Sequence, residues 1–203
     1  VTISYPVIPP NNLAPSSVML LFDNVNGVGV SPYSRQTQVA SYGGDSWGIS
    51  VGFDPMDREE AAPWIAFIAS LRGQYGTFLF GPNTFGEPLG AGPGGNTPRV
   101  NGASQTGYVL VTDNWPNSSD ILKAGDLIQI DSRLYMNIKD VSSDSSGNAT
   151  LDIWPSLRGH ADNSVIETNN PVGLWRLATN QVRAVDVPNT ELYTITFDAV
   201  EAL

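Results

Sequence analysis

Apolar and polar positions alternate along most of this chain, and the alternation predicts strands. From Trp47 to Phe53 the pattern is strict. Trp47, Ile49, Val51 and Phe53 share one face, and Gly48, Ser50 and Gly52 share the other. The second face carries almost no side-chain bulk, so a helix, another sheet or another subunit can approach that backbone closely. Val18 to Phe22 is a short apolar run, and Tyr33 to Ala40 alternates with more polar residues; both read as strands. Val109–Thr112, Asp126–Ile130, Arg133–Val141, Ala149–Trp154, Gly173–Ala178 and Val182–Val187 follow. Glu191 to Glu201 alternates to the end of the chain, and a terminal segment of that strength is expected to dock into the first sheet.

One stretch breaks the period of two. Trp64, Phe67, Ile68 and Leu71 fall at i, i+3, i+4 and i+7, which predicts one amphipathic helix over about 57–72. Asp57 and Glu60 have the spacing of a capping box, placing the start near Asp57. That start puts Pro63 inside the helix, where it removes a hydrogen bond and predicts a kink. A start at Ala62 would instead make Pro63 a good first residue. Gly73 supplies the stop, and Thr77 to Phe80 is the next strand.

Proline and glycine punctuate the rest. Pro6, Pro9, Pro10 and Pro15 make residues 1–17 an extended arm or edge segment. Residues 81–98 are dense in both residues and read as a linker. The expected organisation is a β core with helix from residues 1–90 and 172–203, interrupted by a small all-β subdomain at 99–170. The fold class is mainly β, sandwich-like or barrel-like, with one helix. Within the insertion, Ser142–Asn148 is turn-rich and predicts a hairpin.

Composition narrows the function. Twenty carboxylates face ten basic side chains, for a net charge of −10, which argues against a protein that grips nucleic acid through phosphates. The chain has no cysteine, excluding disulfides, thiolate nucleophiles and zinc–cysteine sites. No apolar run approaches the ~18 residues of a membrane span, and no signal-peptide pattern opens the sequence. The glycosylation patterns at Asn117 and Asn148 are expected to be chance matches.

Few motifs suggest chemistry. Gly48-Ile49-Ser50-Val51-Gly52 has the letters of a nucleophile elbow, but Ser50 falls in mid-strand instead of on a strand-to-helix turn. Gly90, Gly92 and Gly95 match a dinucleotide fingerprint with no helix to follow. His160 is the only histidine and reads as an exposed loop residue. Asp126 and Asp131 flank a strand, and Asp140, Asp144 and Asp152 surround a turn; they read as solvated turn carboxylates. Glu59 and Glu60 suit the helix N-terminus. Trp115 stands in a polar loop, where it either packs the loop or anchors a partner or sugar.

The run from Trp47 through the helix to Leu71-Arg72-Gly73-Gln74-Tyr75-Gly76 and on to Pro82 resembles a segment of phage distal tail proteins, as in long-tailed phages and gene transfer agents. Leu122–Gly159 resembles a segment common in such tail proteins, and Ile195–Ala202 is similar to their closing strand. The resemblance implies a structural virion protein at the tail tip, assembled in the bacterial host cytoplasm. It implies a homohexameric ring joining the tail tube to the baseplate hub or central fibre, with DNA crossing the lumen unbound. It implies no enzyme, catalytic residue, metal or cofactor. Gly48, Ser50, Gly52 and Trp115 are the candidate interface residues. A carbohydrate- or receptor-binding module on residues 99–170, another tail-tube-like ring protein and a hydrolase using Ser50 or a carboxylate pair are the alternatives.

Overall fold

The computed structural model describes residues 3–82, 86–187 and 192–203, with side chains omitted for 183–187. Residues 1–2 of the expected arm, 83–85 of the expected linker and Glu191 of the closing strand lie outside the described residues. The fold is mainly β, with 43% of residues in strands and, among the described residues, one α-helix.

The first sheet is built from both ends of the chain. Its strands are β1 (Ser17–Asp23), β4 (Ser46–Gly52), β5 (Thr77–Phe80), β14 (Gly173–Leu177), β15 (Arg183–Val187) and β16 (Leu192–Glu201). They run in the order β1-β4-β16-β14-β5, and β15 continues the path of β14 along β16. All pairings are antiparallel. The expected docking of the closing strand is present, with Phe197 opposite Val51 and Ala199 opposite Ile49.

Helix α1 (Arg58–Leu71) covers this sheet's bulky face. Asp57 is its N-cap, and its side chain accepts from the Glu60 amide at 2.9 Å, as the spacing predicts. Pro63 sits inside the helix, where it leaves the Glu59 carbonyl without its i+4 donor. The helix ends at Leu71, and Arg72 as well as Gly73 takes a left-handed conformation (φ 53° and 68°). Ala61, Trp64, Phe67 and Leu71 bury against Phe53, Phe78 and Phe197 from the sheet. Trp64 meets Phe53 at 4.4 Å between ring centroids, and Phe67 meets Phe78 edge-on at 5.5 Å.

The insertion is a second sheet with its own core. Its strands are β6 (Arg99–Val100), β7 (Thr106–Asp113), β9 (Leu127–Ile130), β10 (Arg133–Asn137), β12 (Ala149–Arg158) and β13 (Ile166–Glu167). They run β13-β9-β10-β12-β7-β6. The two ends then meet. Val100 N–H donates to the Ser164 carbonyl at 2.9 Å, Ile166 N–H donates to the Pro98 carbonyl at 2.9 Å, and Arg99 bridges Val165. That brings the sheet close to a closed barrel. A short ladder of β8 (Asp120–Leu122) with β11 (Val141–Ser142) lies beside it. Leu110, Ile121, Ile128, Leu151 and Ile153 are fully buried in its core.

The barrel is fastened to the first sheet. Leu127 and Leu134 leave the barrel to join the core under α1, and the Trp47 indole N–H donates to the Leu134 carbonyl at 2.9 Å. Arg133 reaches Glu201 at 3.4 Å.

The segment expected as a linker is laid down along the barrel. Buried Asp126 accepts from the amides of Leu89 (2.9 Å), Gly90 (3.4 Å) and Lys123 (2.7 Å), so it is an organiser and not a solvated turn carboxylate. Ala91 and Gly92 donate to the carbonyls of Asp120 and Ile121. At Gly90 a Cβ would collide with the Ile121 backbone, which accounts for the glycine.

Candidate assembly surface

Gly48, Ser50 and Gly52 lie on the outward face of β4, opposite α1. Residues from both neighbouring strands surround them: Ser17, Met19 and Leu21 from β1, and Thr196, Asp198 and Val200 from β16. The neighbours fill part of the space left by the glycines. A Cβ on Gly48 would sit 3.2 Å from the Leu21 Cβ, and one on Gly52 would sit 2.7 Å from the Ser17 Oγ. Gly48 is buried and Gly52 half-buried, so the apolar surface offered outward belongs to Met19 (61% exposed), Leu21 (45%) and Val200 (39%). The slim strand supports that face more than it presents it.

The sheet's two edges differ. At the β5 edge the proline-rich arm returns. Val7 donates to the Thr77 carbonyl and accepts from Leu79, adding a short parallel bridge. The arm then crosses α1 and β5, leaving a cleft of about 280 Å³ lined by Pro9, Pro15, Trp64 and Phe80. At the other edge β1 pairs only with β4 among the described residues, and its seven residues, SVMLLFD, are mostly exposed.

Between β1 and β4 the chain forms a separate two-stranded ribbon, β2 (Asn26–Val30) with β3 (Thr37–Ser41). The strand expected from Tyr33 begins later, at Thr37: Tyr33 is at the ribbon's tip, 98% exposed, and β2 is an additional strand before it. The signal was present, because Val28 and Val30 alternate with Gly27 and Gly29. Val28 sits opposite Val39, and with Val30 they make one β-branched face that is exposed throughout. The other face holds Gly27, Gly29, Gln38 and Ala40. Both feet are pinned to the barrel. Trp154 Nε1 donates to Asn24 Oδ1 at 2.9 Å, and Ser156 Oγ donates to the Gly43 carbonyl at 3.1 Å. Tyr108, whose hydroxyl donates to buried Asp45, is held above its ordinary pKa by that carboxylate.

Trp115 corrects an expectation. It is 1% exposed inside the barrel core, and its indole N–H donates to Thr112 Oγ1 at 2.8 Å. It packs its loop and presents no ring face to a sugar or partner.

His160 corrects another, because it is buried at 6% exposure. Its Nε2 lies 2.8 Å from the Tyr135 hydroxyl and its Nδ1 2.8 Å from Asp131 Oδ2. A neutral ring satisfies both: Nδ1–H donates to the carboxylate, and Nε2 accepts from the phenol. Burial pushes Tyr135 up to about 12. The chain of three ties the β9–β10 turn to the segment after β12. Ser50 lies on another sheet and is not among the partners of His160, so the pair that a hydrolase would need is not assembled.

The Gly90–Gly95 stretch packs along the barrel with no helix following it. Asp140 and Asp144 do behave as turn carboxylates. The Ala124 amide and then Lys123 hold Asp140 below the usual aspartate range, and Asn148 with neighbouring amides does the same for Asp144. Among the described residues no group of three or more His, Asp or Glu could hold a metal. No helix among them is long and apolar enough to cross a membrane. No family model matches the chain, and no curated protein matches it.

Proposed function

We propose that this protein is a structural component of a phage tail tip that assembles into a homohexameric ring around the DNA channel, joining the tail tube to the baseplate hub or central fibre. The observation that carries this reading is the pairing of an uncovered apolar sheet face and edge at β1 with an uncovered apolar ribbon at β2–β3. A monomer gains nothing from leaving both exposed, and a bare apolar edge beside an uncovered apolar ribbon is the kind of surface that contacts a partner. The sequence resemblance over the helix block, the barrel strands and the closing strand supports the same reading. The net charge of −10 suits a wall past which DNA slides, provided the acidic groups face the lumen. The site of action would be the virion. The test is particle shape in solution: negative-stain images are expected to give rings with a central hole.

A further inference from the structure

We infer that the β2–β3 ribbon of one copy docks onto the bare β1 edge of the next copy, so that the first sheet continues from subunit to subunit. This rests on the ring reading above and specifies which surfaces make the ring.

Each half of the contact lacks what the other supplies. A two-stranded ribbon is marginal alone in water and needs a third strand or an apolar face to lie on. The ribbon's Val28, Val30 and Val39 have no such cover. Strand β1 is an edge of seven residues without lysine, proline or bulge, bearing Met19 and Leu21, the type of edge that pairs with another chain. The opposite edge already takes a bridge from the chain's own Val7, whereas β1 takes none on its outer side among the described residues.

The ribbon forms no ladder with its own β1 and is held by the barrel through Asn24 and Gly43. Its only charge is Arg35, near the tip, whereas the outward face beside β1 carries Asp23 and Asp198. The complement of the ribbon is therefore on this same chain, in a different place. A contact between two unlike patches is head-to-tail, and head-to-tail contacts build rings when the rotation closes.

The absence of cysteine gives a clean background for cross-linking. Two full-length single-cysteine variants, Met19→Cys and Val39→Cys, would be mixed at about equal concentration with a short bis-maleimide, alongside each variant alone and light scattering of the wild type. The expected result is a cross-linked dimer from the mixture and none from either variant alone. Self-linking of Val39→Cys or Met19→Cys alone would mean like-to-like contact and would overturn the pairing. Wild-type oligomers with no cross-link in the mixture would overturn the pairing while leaving the ring intact. Monomers throughout, with no cross-link, would overturn both. Leu21→Lys, checked by circular dichroism for an unchanged fold, is expected to abolish the cross-link and leave a monomer; its retention would contradict the docked edge.

Discussion

The two halves of this protein solve the same problem differently. The inserted sheet nearly closes into a barrel: β6 meets the segment before β13 across a few hydrogen bonds. The first sheet stays open. One of its edges is covered by the chain's own arm and the other is bare, beside a ribbon that covers nothing. Both halves have cores of buried aromatic and aliphatic side chains, so the difference does not arise from a shortage of apolar residues. Near-closure leaves the barrel few free strand edges, while openness keeps hydrogen-bonding groups and apolar side chains available to a neighbour. On the proposed reading, the open half is therefore the part that a neighbouring subunit would extend.

The comparison can be tested by substitution, beginning with the largest effect. Trp64→Ala removes the centre of the helix-to-sheet core and is expected to cost about 3–5 kcal/mol in denaturant unfolding. Because Leu127 and Leu134 belong to that core, unfolding should remain a single transition. A split into two transitions would show that the barrel stands apart from the sheet. In the barrel, His160→Ala leaves Tyr135 and Asp131 without their partner and is expected to cost about 1–3 kcal/mol. A neutral result would remove the buried chain of three from the account of how the barrel is held. Asp57→Ala removes the helix cap and should cost about 1 kcal/mol, read from the same unfolding curves.

Val39→Lys inverts the pattern. On an exposed ribbon it should change folding stability by no more than about 0.5 kcal/mol, yet it should prevent assembly, as read by light scattering. A large loss of stability would mean that the ribbon is part of the core after all. The smallest effect is on pH. Asp140 and Asp144 are held below the ordinary value of 3.8, so their contribution is complete above it and is lost as the pH falls through their lower folded values. Tyr135, raised to about 12, acts at the other end. Its contribution is complete below 10 and is lost as the pH rises through 12. Thermal melts should therefore show a loss from the two aspartates below pH 3.8 and a loss from Tyr135 above pH 10.

Much of the fold was legible because periodicity and burial agree wherever a strand has one covered face. The Trp47–Phe53 alternation, the Trp64–Leu71 stripe and its Asp57 cap, and the return of the closing strand to β4 all follow from that rule. What escaped were elements whose residues do not signal their surroundings. Strand β2, NGVGV, does alternate, but with two glycines among five residues the alternation is weak. The short β6 and β13 hold only two residues each, too few for a period, yet they nearly close the barrel. Glycine and proline at 81–98 read as slack chain, whereas one buried carboxylate, Asp126, fixes part of that stretch. Trp115 and His160 were misplaced for a shared reason: their sequence neighbours are polar, and their burial comes from strands distant in the chain. The slim face at Gly48, Ser50 and Gly52 was found correctly as a face, but its outward chemistry belongs to β1 and β16, which alternation within β4 cannot reveal.

The central claim is that the open half exists to assemble. The most direct measurement is particle mass in solution combined with negative-stain class averages of the purified full chain. The account predicts a particle of six 21.7 kDa subunits with six-fold symmetry and a central hole. A monomer at every concentration, with no ring among the class averages, would contradict it.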